Sequence, residues 1–359
     1  MASYLITFSG IFIVCLLGVA LQVIVFSPIS PITLEIPQPS STLSNGKLQE
    51  VIKLGEGLLK EPEDVAIDKA GVVYTATRDG WIKRLHKNGT CENWWHIDSD
   101  GLLGLTITAA GDLIVCDVEK GLLKVNEEGV TVLASHVNGA KIWFADDVVE
   151  SSDGMLYFSV GSTKFGRHNW ELDMLEARPH GQLLRYDPSS NETSILLHDL
   201  GFANGVALSE QQDYLVFCET WKYRCLKYWL KGDIKGQTEI FIGNLPGGPD
   251  NIKLAPDGSF WIALLELVPS KLRFIHSSVA LKYLIAPFPK VRKWATIRVQ
   301  TKAMVVNVAG DGKIIRSFDD PTGKVMAFVT SVLEFEDHLY LGNLHSDFIG
   351  KLPLIAPSA

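Results

Sequence analysis

Basic residues are absent from the first 46 positions of this 359-residue chain: its first Lys is Lys47, and its first charge of either sign is Glu35. That lack removes the basic start that a cleaved secretory signal peptide normally carries. Over the whole chain 33 Lys and Arg stand against 41 Asp and Glu, a net charge of -8, with a pI near 5.6. No basic face is offered to a polyphosphate backbone, which argues against nucleic acid as a partner. Cysteine is scarce. Of the five, Cys15 lies in an apolar run, Cys116 and Cys218 read as small hydrophobes inside strand patterns, and Cys91 and Cys225 pair only if the fold brings them together. Also missing is any Ser/Gly-rich or Pro-rich linker between residue 47 and the C-terminus, so one domain is expected.

What the N-terminus does have is an uncharged, apolar run from Tyr4 to Phe26. That is bilayer-spanning length, and Gly18-Val19-Ala20 is a weak cleavage site. Residues 1–26 are therefore expected to form a transmembrane or signal helix, kept as a signal anchor rather than removed. Residues 27–46, rich in Pro and Ser, read as a polar tether, and 47–359 as the globular domain. This predicts the secretory pathway, with the membrane as partner through the N-terminal helix and the domain on the luminal side of the ER or a vacuolar or other endomembrane compartment. The sequons at Asn88 and Asn191 fall in predicted turns and are expected to be glycosylated there.

Within 47–359 a five-residue pattern recurs at Glu63-Asp64-Val65-Ala66-Ile67, Leu103-Gly104-Leu105-Thr106-Ile107, Asp146-Asp147-Val148-Val149-Glu150, Asn204-Gly205-Val206-Ala207-Leu208, Asp250-Asn251-Ile252-Lys253-Leu254 and Thr330-Ser331-Val332-Leu333-Glu334. Each copy is followed by a turn and a second β-rich run. The spacings are 40, 43, 58, 46 and 80 residues. β-Hairpin repeats of this period predict an all-β fold, a six-bladed β-propeller. Excess length near 163–181 and 267–295 reads as short helical lid insertions over one mouth of the channel. The run Leu48–Leu54 is expected to complete the last blade and close the ring.

In a propeller the first strand of each blade lines the central channel, so the first column forms a ring: Glu63, Leu103, Asp146, Asn204, Asp250 and Thr330. Like charges converging on one axis raise one another's pKa, and a divalent cation resolves the conflict. Oxygen donors without His or Cys call for a hard ion, Ca²⁺ before Mg²⁺ or Mn²⁺. Asp and Asn are also ordinary turn formers, but four in register on one axis are better read as a site.

Several segments carry a resemblance: Leu183-Leu-Arg-Tyr-Asp-Pro188, Gly201-Phe-Ala-Asn-Gly-Val-Ala-Leu208, Tyr228-Trp-Leu-Lys-Gly232, Leu245-Pro-Gly-Gly-Pro-Asp-Asn251 and Leu339-Tyr-Leu-Gly342. Over about residues 47 to 355 the chain resembles the plant strictosidine synthase-like proteins, relatives of the animal adipocyte plasma membrane-associated protein. The wider group of six-bladed propellers includes paraoxonase, gluconolactonase and diisopropylfluorophosphatase. The resemblance implies a channel metal with lactone, ester or phosphotriester hydrolysis around it. Glu63, Asn204 and Asp250 fall on metal-binding residues of the hydrolytic relatives, and Asp146 falls where they have Asn. Asn251 follows Asp250 as in the paraoxonase pattern and joins the expected metal set. Leu103 stands where paraoxonase has its catalytic His. Thr330 stands where strictosidine synthase has the Glu that serves its Pictet–Spengler condensation, and a hydroxyl is no substitute base near neutral pH.

The expected function is metal-dependent hydrolysis of small esters or lactones, with Asp250 as general base or nucleophile. Leu103, Thr330, His168, Trp170 and His180 are the expected substrate pocket. The competing reading is a non-catalytic, membrane-anchored propeller with a structural ion. Strictosidine-type condensation ranks last.

Overall fold

The computed structural model describes residues 18, 21–38, 40, 43–265, 269–296 and 302–354. Alternating apolar residues and Gly/Asp turns produce six antiparallel sheets, each of four strands. The innermost strands are Val65–Ile67, Leu102–Ile107, Ala145–Glu150, Ala203–Leu208, Gly248–Leu254 and Val329–Phe335. Each packs against the innermost strand on either side, closing a ring. The six-bladed propeller is as expected.

Closure has the expected logic with shifted bounds. Lys47–Glu50 is a 3-10 turn, and Ile52–Leu54 pairs antiparallel with Ile349–Pro353 as the outer strand of the sixth blade. N-terminal and C-terminal segments thus share one sheet, leaving no open edge at the seam. Between the fifth and sixth blades the buried Trp261 donates from Nε1 to Glu334 Oε2 at 2.6 Å.

Both insertions are helical. The third blade carries α1 (Trp170–Glu176) after a 3-10 turn at Arg167–Asn169. The fifth carries three short helices: α2 (Pro269–His276), α3 (Val279–Ile285) and α4 (Pro289–Thr296). Pro287 and Pro289 separate α4 from α3, and at the break between α2 and α3 Ser278 caps α3 by accepting the Leu281 N–H at 3.3 Å.

Most of the expected N-terminal helix lies outside the described residues, and among the described residues no helix is long and apolar enough to cross a membrane. The segment read as a tether is partly docked. Ile29 is buried with Phe165, Leu172, Leu175, Ile275 and Ile285 of the insertions. Ser30 N–H donates to Glu176 Oε1 at 2.7 Å, Leu34 N–H to the His276 carbonyl at 3.2 Å, and Lys282 Nζ binds the Ile32 carbonyl. The strap holds the two insertions to each other.

One expectation about cysteine is corrected. Cys218 is not a free small hydrophobe; it is disulfide-bonded to Cys225. The two are directly opposite on adjacent strands of the fourth blade, a register that sequence spacing alone does not reveal. Cys91 and Cys116 are free.

Candidate functional site

Each innermost strand after the first is irregular at its ring residue. The register with the second strand shifts between Leu102 and Leu105, Ala145 and Val148, Ala203 and Val206, Pro249 and Ile252, and Val329 and Ser331. In the first blade Glu63 and Asp64 precede the strand at Val65. A bulge breaks the strict in-out alternation and re-aims side chains, so a ring residue can face the cavity while the next residue turns to a neighbouring strand. The same irregularity frees backbone N–H groups, and the second column takes them up. Asp64 Oδ2 accepts the Leu105 N–H at 2.8 Å, and Asp147 Oδ2 accepts the Val206 N–H at 3.0 Å, each from the next blade. The strands approach so closely that a Cβ on Gly104 would lie 2.6 Å from the Asp146 carbonyl oxygen, and one on Gly205 2.4 Å from the Ile252 nitrogen. Gly in those two repeats is a packing requirement.

Above the ring lies a cavity of about 510 Å³. Glu63, Leu103, Asp146, Asn204 and Asp250 line it at depth, each no more than 5% exposed. Trp170, Trp221, Phe144, Phe202, Leu265 and Phe328 make its walls. Trp170 stacks on Trp221 with centroids 6.0 Å apart, Phe202 lies 4.5 Å from Trp221, and Trp221 Nε1 donates to Asp173 Oδ1 at 2.8 Å. The aromatic wall is thereby fixed. The mouth carries Glu61, Arg78, Arg167 and His168.

The ring is electrostatically unfinished. Burial, with Asp64, Asp250 and Asp146 adding to it, pushes the Glu63 carboxyl well above its ordinary range. Burial and then the charge of Asp250 do the same to Asp146. Burial raises Asp250 to about 8, against a hydrogen bond from Asn204 that favours the anion. Amides pin the carboxylates. Asn251 Nδ2 donates to Glu63 Oε1 at 3.0 Å, while Glu63 Oε2, Asn204 Oδ1 and Asn251 Oδ1 are buried without a partner. Unpartnered buried oxygens beside carboxylates held toward their neutral forms are the condition a hard cation relieves. Among the described residues no three His, Cys, Asp or Glu form a metal cluster by themselves; the donor set here leans on amide oxygens as well. By donor chemistry the residues fit Ca²⁺, with Glu63, Asp146, Asn204 and Asp250 on the cavity and Asn251 behind Glu63.

The remaining expected pocket residues divide. Leu103, His168 and Trp170 line the cavity. Thr330 is fully buried, is not part of the lining, and donates its hydroxyl to the Glu63 carbonyl at 2.5 Å. His180 is also outside the lining and bonds Glu176 at 2.8 Å beneath the N-terminal strap. Asn88 and Asn191 are exposed at turns.

Two features escaped the sequence reading. Arg78 and Arg167 at the mouth sit in no repeat column. Lys253 does: the other repeats have Ala66, Thr106, Val149, Ala207 and Leu333 in its place, and a lone cation there is a legible signal. Its Nζ lies 2.9 Å from both Asp64 Oδ2 and Asp147 Oδ1. A second cavity of about 210 Å³, lined by Thr106, Val149, Ala207 and Lys253, opens below. Lys253 lines this second cavity, and its partners Asp64 and Asp147 line neither.

Sequence comparison matches the strictosidine synthase family model at residues 146–233 and the strictosidine synthase-like N-terminal model at 43–85. Strictosidine synthase-like protein 4 of Arabidopsis thaliana is 33% identical over 97% of this chain and 95% of its own length. The human adipocyte plasma membrane-associated protein is 32% identical, over 92% of this chain and 85% of its own length. Among solved structures, a gluconolactonase from Xanthomonas campestris superposes with TM-score 0.62 at 13% identity, covering 92% of this chain and 99% of that one. The calcium-binding protein regucalcin of Agrobacterium tumefaciens gives TM-score 0.56 at 14% identity, over 84% and 92%. At such identities the superpositions establish the fold.

Proposed function

The chain belongs to the strictosidine synthase-like family, and from that premise we propose that it hydrolyses small esters or lactones in the upper channel cavity. The observation that carries this is the set of buried, unpartnered oxygens of Glu63 and Asn204 at the base of an aromatic-walled cavity. Ca²⁺ held by Glu63, Asp146, Asn204 and Asp250 would supply the positive charge that polarises a carbonyl there. The calcium-binding and gluconolactonase neighbours support a cation-bearing site of this kind.

The protein's own groups divide the remaining work. Trp170, Trp221 and Phe202 bind the apolar body of the substrate and exclude water from its far side. Asp250 lies at the base of the cavity, and a cation on the ring would offset the burial that holds it toward its neutral form and leave it the carboxylate a base must be. It takes a proton from water as the water oxygen bonds to the carbonyl carbon. It returns that proton to the departing alkoxide oxygen when the C–O bond breaks, giving acid and alcohol. Asn204 orients it by hydrogen bond. With Leu103 at the paraoxonase histidine position, the base is assigned to Asp250 on the cavity floor.

The test uses full-length protein, a reactive aryl ester and a lactone panel, with EDTA or added Ca²⁺ and a melting curve on each sample. Activity lost on chelation while the fold persists is the expected result. Asp250→Asn should lower kcat by roughly 10²-fold or more, in line with loss of a general base. Unchanged hydrolysis in a folded Asp250→Asn protein would overturn the assignment.

A second reading is a binding propeller with a structural ion. It is favoured by Thr330, whose hydroxyl is spent on the Glu63 carbonyl instead of facing substrate. A fold that melts on chelation, with no turnover in any condition, would put that reading first. The same placement of Thr330 removes support for condensation chemistry.

We further propose a luminal setting in the secretory pathway. Its supports are the Cys218–Cys225 disulfide, a bond of oxidising compartments, and the exposed sequon residues Asn88 and Asn191. A mobility shift on treatment with an N-glycosidase tests it; no shift in protein made through the secretory pathway would count against glycosylation.

A further inference from the structure

The upper cavity opposes charges along its depth: carboxylates at the base, guanidiniums at the mouth. Arg78 follows the second strand of the first blade, and its Nη1 donates to two carbonyls on the way into the second blade, Asp100 at 3.3 Å and Leu102 at 3.2 Å. Those bonds fix the guanidinium across the blade junction. Among the described residues it makes no ion pair, and its Nε and Nη2 make no hydrogen bond, although the side chain lines the cavity. Arg167 reaches the same mouth from the 3-10 turn before α1, where it is paired with Asp100.

The two arginines feel each other. Burial pushes the Arg78 guanidinium below its ordinary range, and the charge of Arg167 pushes further, while Glu63 and Glu61 pull the other way. Two fixed cations at one mouth, with donor nitrogens to spare, form a fork suited to a carboxylate or another planar oxyanion. Arg78 acts on the ring carboxylates through space, Glu63 foremost, but none of them pairs with it directly, which leaves its remaining donors for a ligand.

We propose that Arg78 is the specificity residue of this cavity: it binds an anionic group, foremost a carboxylate, on a substrate whose apolar or aromatic body lies against Trp170, Trp221 and Phe202. Taken with the proposed hydrolase reading, on which the chemistry but not the binding depends, the substrate class is an ester or lactone bearing a free carboxylate. Arg78 contacts the substrate away from the reacting bond, and so sets KM before kcat.

Binding of inert probes tests this without turnover. Phenylacetate and its neutral counterpart phenylacetamide are titrated into Ca²⁺-loaded full-length protein, read by tryptophan fluorescence, since Trp170 and Trp221 line the cavity. A charge-assisted hydrogen-bonded pair should favour the carboxylate by roughly 10- to 100-fold. Arg78→Gln should abolish that preference while leaving phenylacetamide affinity unchanged, and Arg78→Lys should retain part of it. If Arg78→Gln melts early, the Arg78→Lys protein and the salt dependence of the wild-type preference carry the test. A Lys variant with full preference, or a wild-type preference insensitive to salt, then overturns the proposal. It is also overturned by a preference equal in wild type and Arg78→Gln, which would place the anion on the bound cation alone, or by no preference in wild type. Charge preference that depends on Arg78 without hydrolysis of any ester sustains the binding site and removes the hydrolase. Hydrolysis indifferent to Arg78 does the reverse.

Discussion

Replacing Lys253 with Met should destabilise the propeller more than any surface change, and the geometry sets the size. Asp64 and Asp147 are fully buried, and each already accepts two backbone N–H groups: Val65 and Leu105 for Asp64, Val148 and Val206 for Asp147. Their remaining charge is met by a single ammonium, 2.9 Å from each. Burial works against that ammonium, but Asp147 and Asp64 together hold it charged, above the ordinary range of a lysine. Met keeps most of the volume and removes the charge. Taking one partner from a buried ionic cluster costs about 3–5 kcal/mol, because the other charges stay behind in a poor solvent. For about 300 ordered residues the unfolding entropy is roughly 0.6 kcal/mol per degree, so the melting temperature should fall by about 5–8 °C. Scanning fluorimetry on full-length protein reads it directly. The loss should shrink towards about pH 5, because burial already raises the Asp147 carboxyl to about 6 and it takes up a proton there. It should be partly recovered in the Lys253→Met, Asp64→Asn, Asp147→Asn protein, which has no charge left to strand. A fall under about 2 °C at neutral pH, or a triple variant no better than the single, would refute the reasoning.

Two further outcomes follow from the same structure. Asp250 titrates near about 8 in the fold and near 3.9 in an unfolded chain, so its contribution to stability is full below about pH 4 and is lost as pH rises through about 8. Chelated protein should therefore melt lower at roughly pH 9 than at roughly pH 6, and Ca²⁺ should flatten that dependence; parallel curves with and without Ca²⁺ would count against a cation on this ring. The Cys218–Cys225 bridge closes a short loop, with a sequence separation of 7, and its removal by Cys218→Ser with Cys225→Ser should cost about 2–3 kcal/mol on the chain-entropy account; denaturant midpoints that match those of the oxidised parent would refute it.

Periodicity alone determined the architecture. Six copies of one pattern, each followed by a turn and a second β-rich run, leave little choice but a ring of sheets, and the ring dictates that Glu63, Asp146, Asn204 and Asp250 share an axis. The insertions were legible because helical spacing differs from strand spacing, although the second is divided at Ser277-Ser278 and again at Pro287 and Pro289. The tertiary structure decided what has no period. Bulges in the following blades freed the Leu105 and Val206 N–H groups, so that Asp64 and Asp147 staple neighbouring blades, and Thr330 became a buried donor to the Glu63 carbonyl. A loop after one strand brought Arg78 to the mouth, register placed Cys218 opposite Cys225, and packing docked the strap at Ile29 between two insertions. Local patterns repeat because every blade solves the same burial problem. Which side chains meet across blades is set by how six sheets close on one another, a relation no single stretch of sequence contains.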